Sequence, residues 1–396
     1  MLKNLKILSI EQYGAGPFGT QFLVDMGAEV IKIETPTHGG DMARSIGPSR
    51  LDGLDKDVSS VFFQGLNRGK KSLTLDLENP TGYAVFLNLV KNADAVTHNL
   101  RGDVPEKLRI NYEYLKIANP KIVCVHLTGY GRVGERANWP GYDFLMQAEA
   151  GYFHLTGDPE SSPARAGLSL IDLMTGSVAS LSLVSGVLSA RDTGMGRDID
   201  VSLFDLALYN LNYIGNWYLN DQLETTRLER SAHASLTPCQ TYQTKDGWIY
   251  IMCNKEKFWK ILCEKMNRLE LIEDSRFFTF KERLTNRGIL TPIIDDALKT
   301  KKTNDWMELF KGYVPAAPIL DVKDALNTDW VKSHGRLDSI PIGENNSFKF
   351  ISSPIRYENS QKTALAPSLG QHTLKILEDN GYTVEEIEEL KNQGII

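Results

Sequence analysis

Short apolar runs alternate with stretches of helical periodicity through the first half of the chain. Leu5–Ile10, Glu29–Ile33, Ser72–Leu77, Ala95–His98 and Ile122–His126 read as strands. Between and after them, Pro17–Met26, Pro80–Lys91 and Val104–Tyr114 read as helices, the first with proline near its opening position. This alternation predicts an α/β fold, a parallel sheet with helices on both faces. Leu173–Ala190 is a long helical segment rich in Gly, Ser and Ala, whose small side chains allow close backbone approach. A deeply packed helix is expected there. Gly196–Leu208 reads as a strand followed by a helix.

The pattern changes around Arg227–Thr237. Cys239–Thr244 and Trp248–Cys253 flank Lys245-Asp246-Gly247, which predicts a hairpin about an Asp-Gly turn. Helical segments follow at Lys255–Met266, Asp296–Thr300 and Asp305–Phe310, so a smaller second domain ending near Val322–Trp330 is expected. Two helical segments close the chain, one after Gly370 and one from Thr383, where Thr383-x-x-Glu386 is a capping box. There is no internal repeat and no low-complexity tract.

Hydrophobic residues at 42% and charged residues at 24% suit a globular protein, and 396 residues suffice for two domains. The net charge of −6 argues against a general nucleic-acid binder, while a local group of Lys and Arg can still hold a small anion. Cys124, Cys239, Cys253 and Cys263 show no C-x-x-C spacing, which points away from zinc and toward reduced thiols. No apolar run approaches the ~20 residues that span a bilayer. The N-terminus enters a strand almost at once, so a cytoplasmic location is expected, with no membrane partner. The seven histidines never fall at i, i+4, so no metal site is expected, and no G-x-S-x-G elbow occurs.

Gly14-x-Gly16-x-x-Gly19 lies between a strand and a helix, and Glu34 closes the next strand 20 residues after Gly14. That is the dinucleotide fingerprint, so an NAD(P)-binding dehydrogenase is one reading; Pro17, which removes an N–H where a pyrophosphate would be held, favours instead a tight phosphate-adjacent turn for some other nucleotide. "GLNRGKKS" (Gly65–Ser72) resembles a P-loop but has three residues between its glycines where four are needed. It reads either as a solvated basic turn or as a phosphate patch. Arg101 and Lys107 add positive charge at the carboxyl end of a neighbouring strand, the edge where open α/β sheets bind ligands. In "GLSLIDLMTG" (Gly167–Gly176), Asp172 stands in an otherwise apolar or small run. It is either a helix N-cap or a reactive carboxylate held where the helix begins.

Several segments together resemble one family. "EQYGAGPFGTQFLVDMGAEVIKIETP", "GGDMAR" (Gly39–Arg44), "KKSLTLDL", "LTGYGRVGERANWPGYD" (Leu127–Asp143) and "GLSLIDLMTG" occur in the order found in class III CoA-transferases of the CaiB/BaiF type. "TGMGRDIDVSLFD" and "APSLGQH" (Ala366–His372) extend the similarity almost to the C-terminus. The resemblance implies a Rossmann-like large domain over residues 1–210, a small α+β domain over 225–325, and a C-terminal segment, 330–396, returning to the large domain. It implies an interlocked homodimer, an acyl-CoA thioester as substrate with no permanently bound cofactor, and a small carboxylic acid as acceptor.

On this resemblance Asp172 falls on the family's catalytic aspartate. The CoA site would include Gly14, Ala15, Leu75, Asn99, Leu100, Arg101, Lys107 and Tyr130. Gly14 stands where a polar residue such as Gln is common, Thr35 where some members have Arg, and Lys107 replaces a common Arg, losing the bidentate fork. "RSAHASLTP" (Arg230–Pro238) replaces the glycine-rich loop of formyl-CoA transferase, and the residues after it look more like the succinyl-CoA-dependent members. Two alternatives stay open. The related α-methylacyl-CoA racemases carry a histidine where this chain has Tyr142 and an acidic residue about where Lys255 stands. A tyrosine, with an ordinary pKa near 10, is a poor base at neutral pH. The other alternative is a non-catalytic nucleotide-binding module.

Overall fold

The apolar runs of the first half pair into one sheet. The computed structural model describes residues 1–358 and 363–396. Its strands β1 (Lys6–Ile10), β2 (Glu29–Glu34), β3 (Lys71–Thr74), β4 (Ala95–His98), β5 (Val123–Thr128) and β6 (Arg197–Ser202) lie in the order β3-β2-β1-β4-β5-β6. Every pairing is parallel. All residues of β4 and β5 are buried, as expected of strands covered on both faces. The strand order reverses between β1 and β4, so the loops leaving them diverge and open a crevice at their carboxyl ends.

The helices that matter for the site are α1 (Ala15–Asp25), α2 (Pro80–Val90), α3 (Asp143–Glu149), α4 (Leu170–Thr193) and α5 (Leu203–Tyr209). The C-terminal helices α6 (Thr373–Asp379) and α7 (Val384–Asn392) contribute Ile376, Leu377, Ile387 and Leu390 to the core that Leu73, Phe86 and Val96 begin. The capping box of α7 forms: Thr383 N–H donates to Glu386 at 2.8 Å, and Glu386 N–H to the Thr383 hydroxyl at 3.2 Å. The chain divides into two compact units, one of residues 1–150, 167–212 and 333–396, the other of 151–166 and 213–332. Within the second, Cys239–Gln243, Trp248–Met252 and Ala316–Pro318 form an antiparallel sheet over a core that includes Tyr242, Trp259, Leu290 and Trp306.

Four expectations need correction. The helix expected over Val104–Tyr114 is two short pieces, Val104–Lys107 and Tyr112–Leu115, parted where Arg109 takes a left-handed φ of 55°. β3 stops at Thr74, and Leu75 continues only one ladder bond, donating its N–H to Glu34 O at 2.8 Å. α4 is longer than expected and buries one face only: Ala179, Leu183 and Val187 are buried, while Leu181 and Leu188 are 67% and 62% exposed. Among the described residues it is also the one helix whose length and mean hydropathy (1.5) match a bilayer span, a composition that core helices share. Its interspersed Gly, Ser and Thr break the apolar run without lowering the average enough to exclude it.

α1 and α4 meet through glycine. A Cβ on Gly19 would overlap the Gly176 carbonyl oxygen, and one on Gly176 would overlap the Ala15 carbonyl oxygen. Backbone cannot step aside as a side chain can, so Gly176→Ala is expected to destabilise the protein by about 1–3 kcal/mol. Gly65→Ala, in the helix Val61–Asn67 with open space around its Cβ, should be neutral or stabilising by up to about 1 kcal/mol. Denaturant unfolding of the two variants side by side checks this.

Candidate active site

The chain leaves β1 at Ile10 and turns into α1 through a loop held from two sides. Asn99, just past β4, accepts the Gln12 N–H at 2.8 Å and donates back to Gln12 O at 2.6 Å. Asp41 accepts the Tyr13 N–H at 3.0 Å. Tyr13 sits at φ 66°, a conformation that a bulky residue keeps only when its surroundings impose it.

α4 begins opposite this loop. Asp172 is the third residue of the helix rather than its N-cap, and Ser169, in the N-cap position, makes no side-chain cap. The cap comes from elsewhere. Asp143 Oδ2 accepts the N–H groups of Ile171 at 2.6 Å and Asp172 at 2.9 Å, and its Oδ1 accepts from Gln147 Nε2 at 2.5 Å. The capping reading of Asp172 is therefore set aside. Its carboxylate points at Gly14, where an added Cβ would lie 2.8 Å from Oδ2. Among the described residues no hydrogen bond or ion pair reaches that carboxylate, although Asp172 is only 8% exposed. Burial, and secondarily the charge of Asp143, push its pKa up to about 7. The positive end of a 24-residue helix acts in the opposite sense and favours the anion.

The same contacts answer the dinucleotide fingerprint. Gly14 makes room for a carboxylate, Gly16 for Asn99 and Glu11 (3.1 Å from an added Cβ), and Gly19 for the α4 backbone. Glu34, which would hold a ribose, is occupied by Arg44 at 2.9 and 2.6 Å, Ser72 at 2.7 Å and the Asp41 N–H at 3.0 Å. A nicotinamide dinucleotide would meet an anion where its pyrophosphate belongs and no free ribose acceptor, so that reading falls. The cations of "GLNRGKKS" are likewise engaged internally: Arg68 with Asp25, Lys70 with Glu11 and Lys71 with Glu29. The segment is neither a solvated turn nor a free phosphate patch.

A cleft of about 590 Å³ brings Gly14, Ala15, Asn99, Leu100, Arg101 and Asp172 together. A second, of about 470 Å³, adjoins it at Gln12 and Leu100 and holds Leu75 among apolar neighbours Ile33, Leu77 and Leu108. Lys107 lines neither; its side chain is 66% exposed and paired with Asp103 at 2.5 Å. Tyr130 also lines neither, donating its hydroxyl to Glu149 at 3.0 Å and packing edge-on against Trp139. Arg101 is loosely held, 3.5 Å from Asp103 and 3.5 Å from Asn138 O. Sequence reasoning gave no part to Asp143, Gln12, Tyr13 or Trp139. Asp143 caps residues 28 and 29 positions away, so no local spacing could reveal it. The histidines also escaped: β4–β5 register sets His98 beside His126 (2.7 Å), which continues to Asp198 (2.6 Å), while His98 Nδ1 accepts the Leu100 N–H at 3.1 Å.

The model of CoA-transferase family III matches residues 2–373. The chain belongs to that family. Among similar proteins, the succinyl-CoA:glutarate CoA-transferase of Homo sapiens is 32% identical over 402 residues, covering 100% of this chain and 90% of that enzyme. The acetyl-CoA:oxalate CoA-transferase of Acetobacter aceti is 34% identical over 326 residues, 82% of each chain. A crystal structure of a CaiB/BaiF family protein from Brucella suis superposes with a TM-score of 0.81 at 32% identity, covering 95% of this chain and 98% of that one. This family III CoA-transferase is thus an enzyme that uses CoA thioesters.

The raised pKa of Asp172 has a stability consequence. Below the unfolded value of 3.8 both states hold the proton; as pH rises toward 7 the unfolded state releases it first, and the folded enzyme loses stability. Asp172→Asn removes that penalty. The variant is expected to exceed the wild type in stability at pH 8 by on the order of a few kcal/mol, with the gap closing below pH 4. Unfolding curves at the two pH values check it.

Proposed function

We propose that this transferase moves CoA from an acyl-CoA, with succinyl-CoA the favoured donor, to a small carboxylic acid, and that Asp172 is the nucleophile. The observation that carries this reading is a carboxylate with no protein partner, held at the first turn of α4 on the wall of a cleft. An oxygen of Asp172 attacks the thioester carbonyl, the C–S bond breaks, and CoA leaves as thiolate from an acyl-aspartyl anhydride. The thiolate then attacks the aspartyl carbonyl, releasing the donor acid with one oxygen taken from Asp172 and leaving an aspartyl-CoA thioester. The acceptor carboxylate repeats the sequence in reverse, and Asp172 regains an oxygen from the acceptor. The anhydrides lie above the thioesters, but the net reaction exchanges one CoA thioester for another of similar energy, so no ATP is needed. The first N–H groups of α1, which lack intrahelical acceptors, are suited to the oxyanions that form.

CoA would lie with its adenine in the apolar cleft at Leu75, its chain past Leu100 and its thioester at Asp172, leaving Arg101 for a phosphate. Lys107 and Tyr130 remain outer candidates. The unit of residues 1–150, 167–212 and 333–396 would form the CoA-binding domain, and that of 151–166 and 213–332 the small domain. The exposed Leu181 and Leu188 on α4 support a second copy of the chain as the covering partner, in an interlocked homodimer. Four free, buried cysteines support a cytoplasmic enzyme. The racemase reading draws on one observation, since a carboxyl group near pKa 7 also suits a base. Exchange of the α-hydrogen with deuterium in the absence of any acceptor acid would favour it.

The test is succinyl-CoA against a panel of mono- and dicarboxylic acids, with products read by mass spectrometry. Transfer is expected with at least one dicarboxylate, and Asp172→Asn should lower turnover by roughly three orders of magnitude or more, because an amide cannot form the anhydride. A folded Asp172→Asn protein with near-normal transfer overturns the assignment. In the same assay, Arg101→Ala should raise KM for the acyl-CoA about tenfold with little change in kcat, the mark of uniform binding. Lys107→Ala, at an exposed ion pair, should change KM less than about twofold.

A further inference from the structure

Asp143 is 4% exposed and makes three hydrogen bonds, two of them to consecutive N–H groups at the start of α4, one belonging to Asp172 itself. An ordinary N-cap sits in the residue preceding its helix. Here that residue, Ser169, contributes nothing, and the geometry of the first turn rests on a carboxylate from α3. We propose that Asp143 is a positioning residue for the acyl transfer: it holds the first turn of α4 so that Asp172 faces Gly14, and keeps a second negative charge behind the nucleophile. The proposal rests on the reading of Asp172 as nucleophile.

The chemistry gives the second charge a purpose. Asp172 is anionic only at rest and while attacking; as anhydride or thioester it is neutral. An anion behind it disfavours the resting state relative to the acylated ones and makes the carboxylate more basic, hence more nucleophilic. The raised pKa of Asp172, due first to burial and then to Asp143, agrees with this geometry. Tyr13, Arg101 and Tyr142 line the same cleft; α1 brings only uncharged Gly14 and Ala15 to this turn, and Asp205 of α5 is exposed.

Two substitutions separate the roles. Asp143→Asn keeps an acceptor oxygen for the helix and removes the charge; Asp143→Ala removes both. For Asp143→Asn, the acid limb of kcat/KM should move about one pH unit lower, with kcat down about tenfold and KM for acyl-CoA within about threefold. Asp143→Ala should lose about 100-fold or more in kcat. A merely structural role would lower the melting temperature of both variants and leave the acid limb in place. The Asp172 carboxyl titration, read by NMR on ¹³C-labelled aspartate and assigned with Asp172→Asn, should shift down in Asp143→Asn whatever the chemistry of Asp172. Should that titration stay put in Asp143→Asn, the proposal is overturned, even if Asp143→Ala fails to fold. Should it shift while Asp172→Asn still turns over, the nucleophile reading fails instead.

Discussion

Helices α1 and α4 cross where glycine backbones touch, and the site exists because of that crossing. Gly19 and Gly176 let the two helices approach until carbonyl oxygens occupy the space a Cβ would need. The approach carries the first turn of α4 to the loop after β1, and Gly14 leaves the remaining gap to the Asp172 carboxylate. Larger residues at these positions would hold the helices apart and return the carboxylate to solvent, where its pKa would revert toward 3.8. Packing and chemistry are one constraint here.

Around this crossing, three buried ion pairs hold the loops in place. Lys32 meets Asp41 at 2.8 Å, Lys70 meets Glu11 at 2.7 Å, and Arg44 grips Glu34 at 2.6 Å, all six side chains being almost fully buried. Removing one member of such a pair leaves an uncompensated charge and typically costs several kcal/mol, about 3–5. The network also anchors the loop, since Asp41 holds Tyr13 and Lys32 donates to Glu11 O at 2.5 Å. Asp172 stands apart: it has a like charge behind it and no counter-charge in contact. Asp143 is also buried without a counter-ion, but its oxygens accept three N–H donors, whereas no hydrogen bond among the described residues reaches the Asp172 carboxylate.

Much of the sheet was legible because parallel strands buried on both faces leave apolar runs of strand length between longer helical stretches, as in Val123–Thr128. The capping box at Thr383 was legible because its two partners lie three residues apart. Asp143 was not, because its partners are 28 and 29 residues away and the chain carries no trace of that distance. The glycine pattern was legible as a tight strand–turn–helix but ambiguous in purpose; a carboxylate and a phosphate both need room, and only the fold shows which one has it. Lys70 and Lys71 looked like a ligand patch because sequence displays charge without its partners, Glu11 and Glu29. For the same reason the half-exposed face of α4 was hidden: apolar composition does not say which side is covered.

Isotope transfer from the acceptor tests the central claim most directly. With the acceptor acid labelled by ¹⁸O in both carboxylate oxygens, the anhydride route leaves one acceptor oxygen in the Asp172 carboxylate each time a turnover completes. After a single turnover, the proteolytic peptide carrying Asp172 is expected to gain about 2 Da, the mass difference of one oxygen exchanged through a covalent intermediate, with no other peptide gaining mass. Formation of the new thioester with the Asp172 peptide left unlabelled would contradict a covalent role for this aspartate.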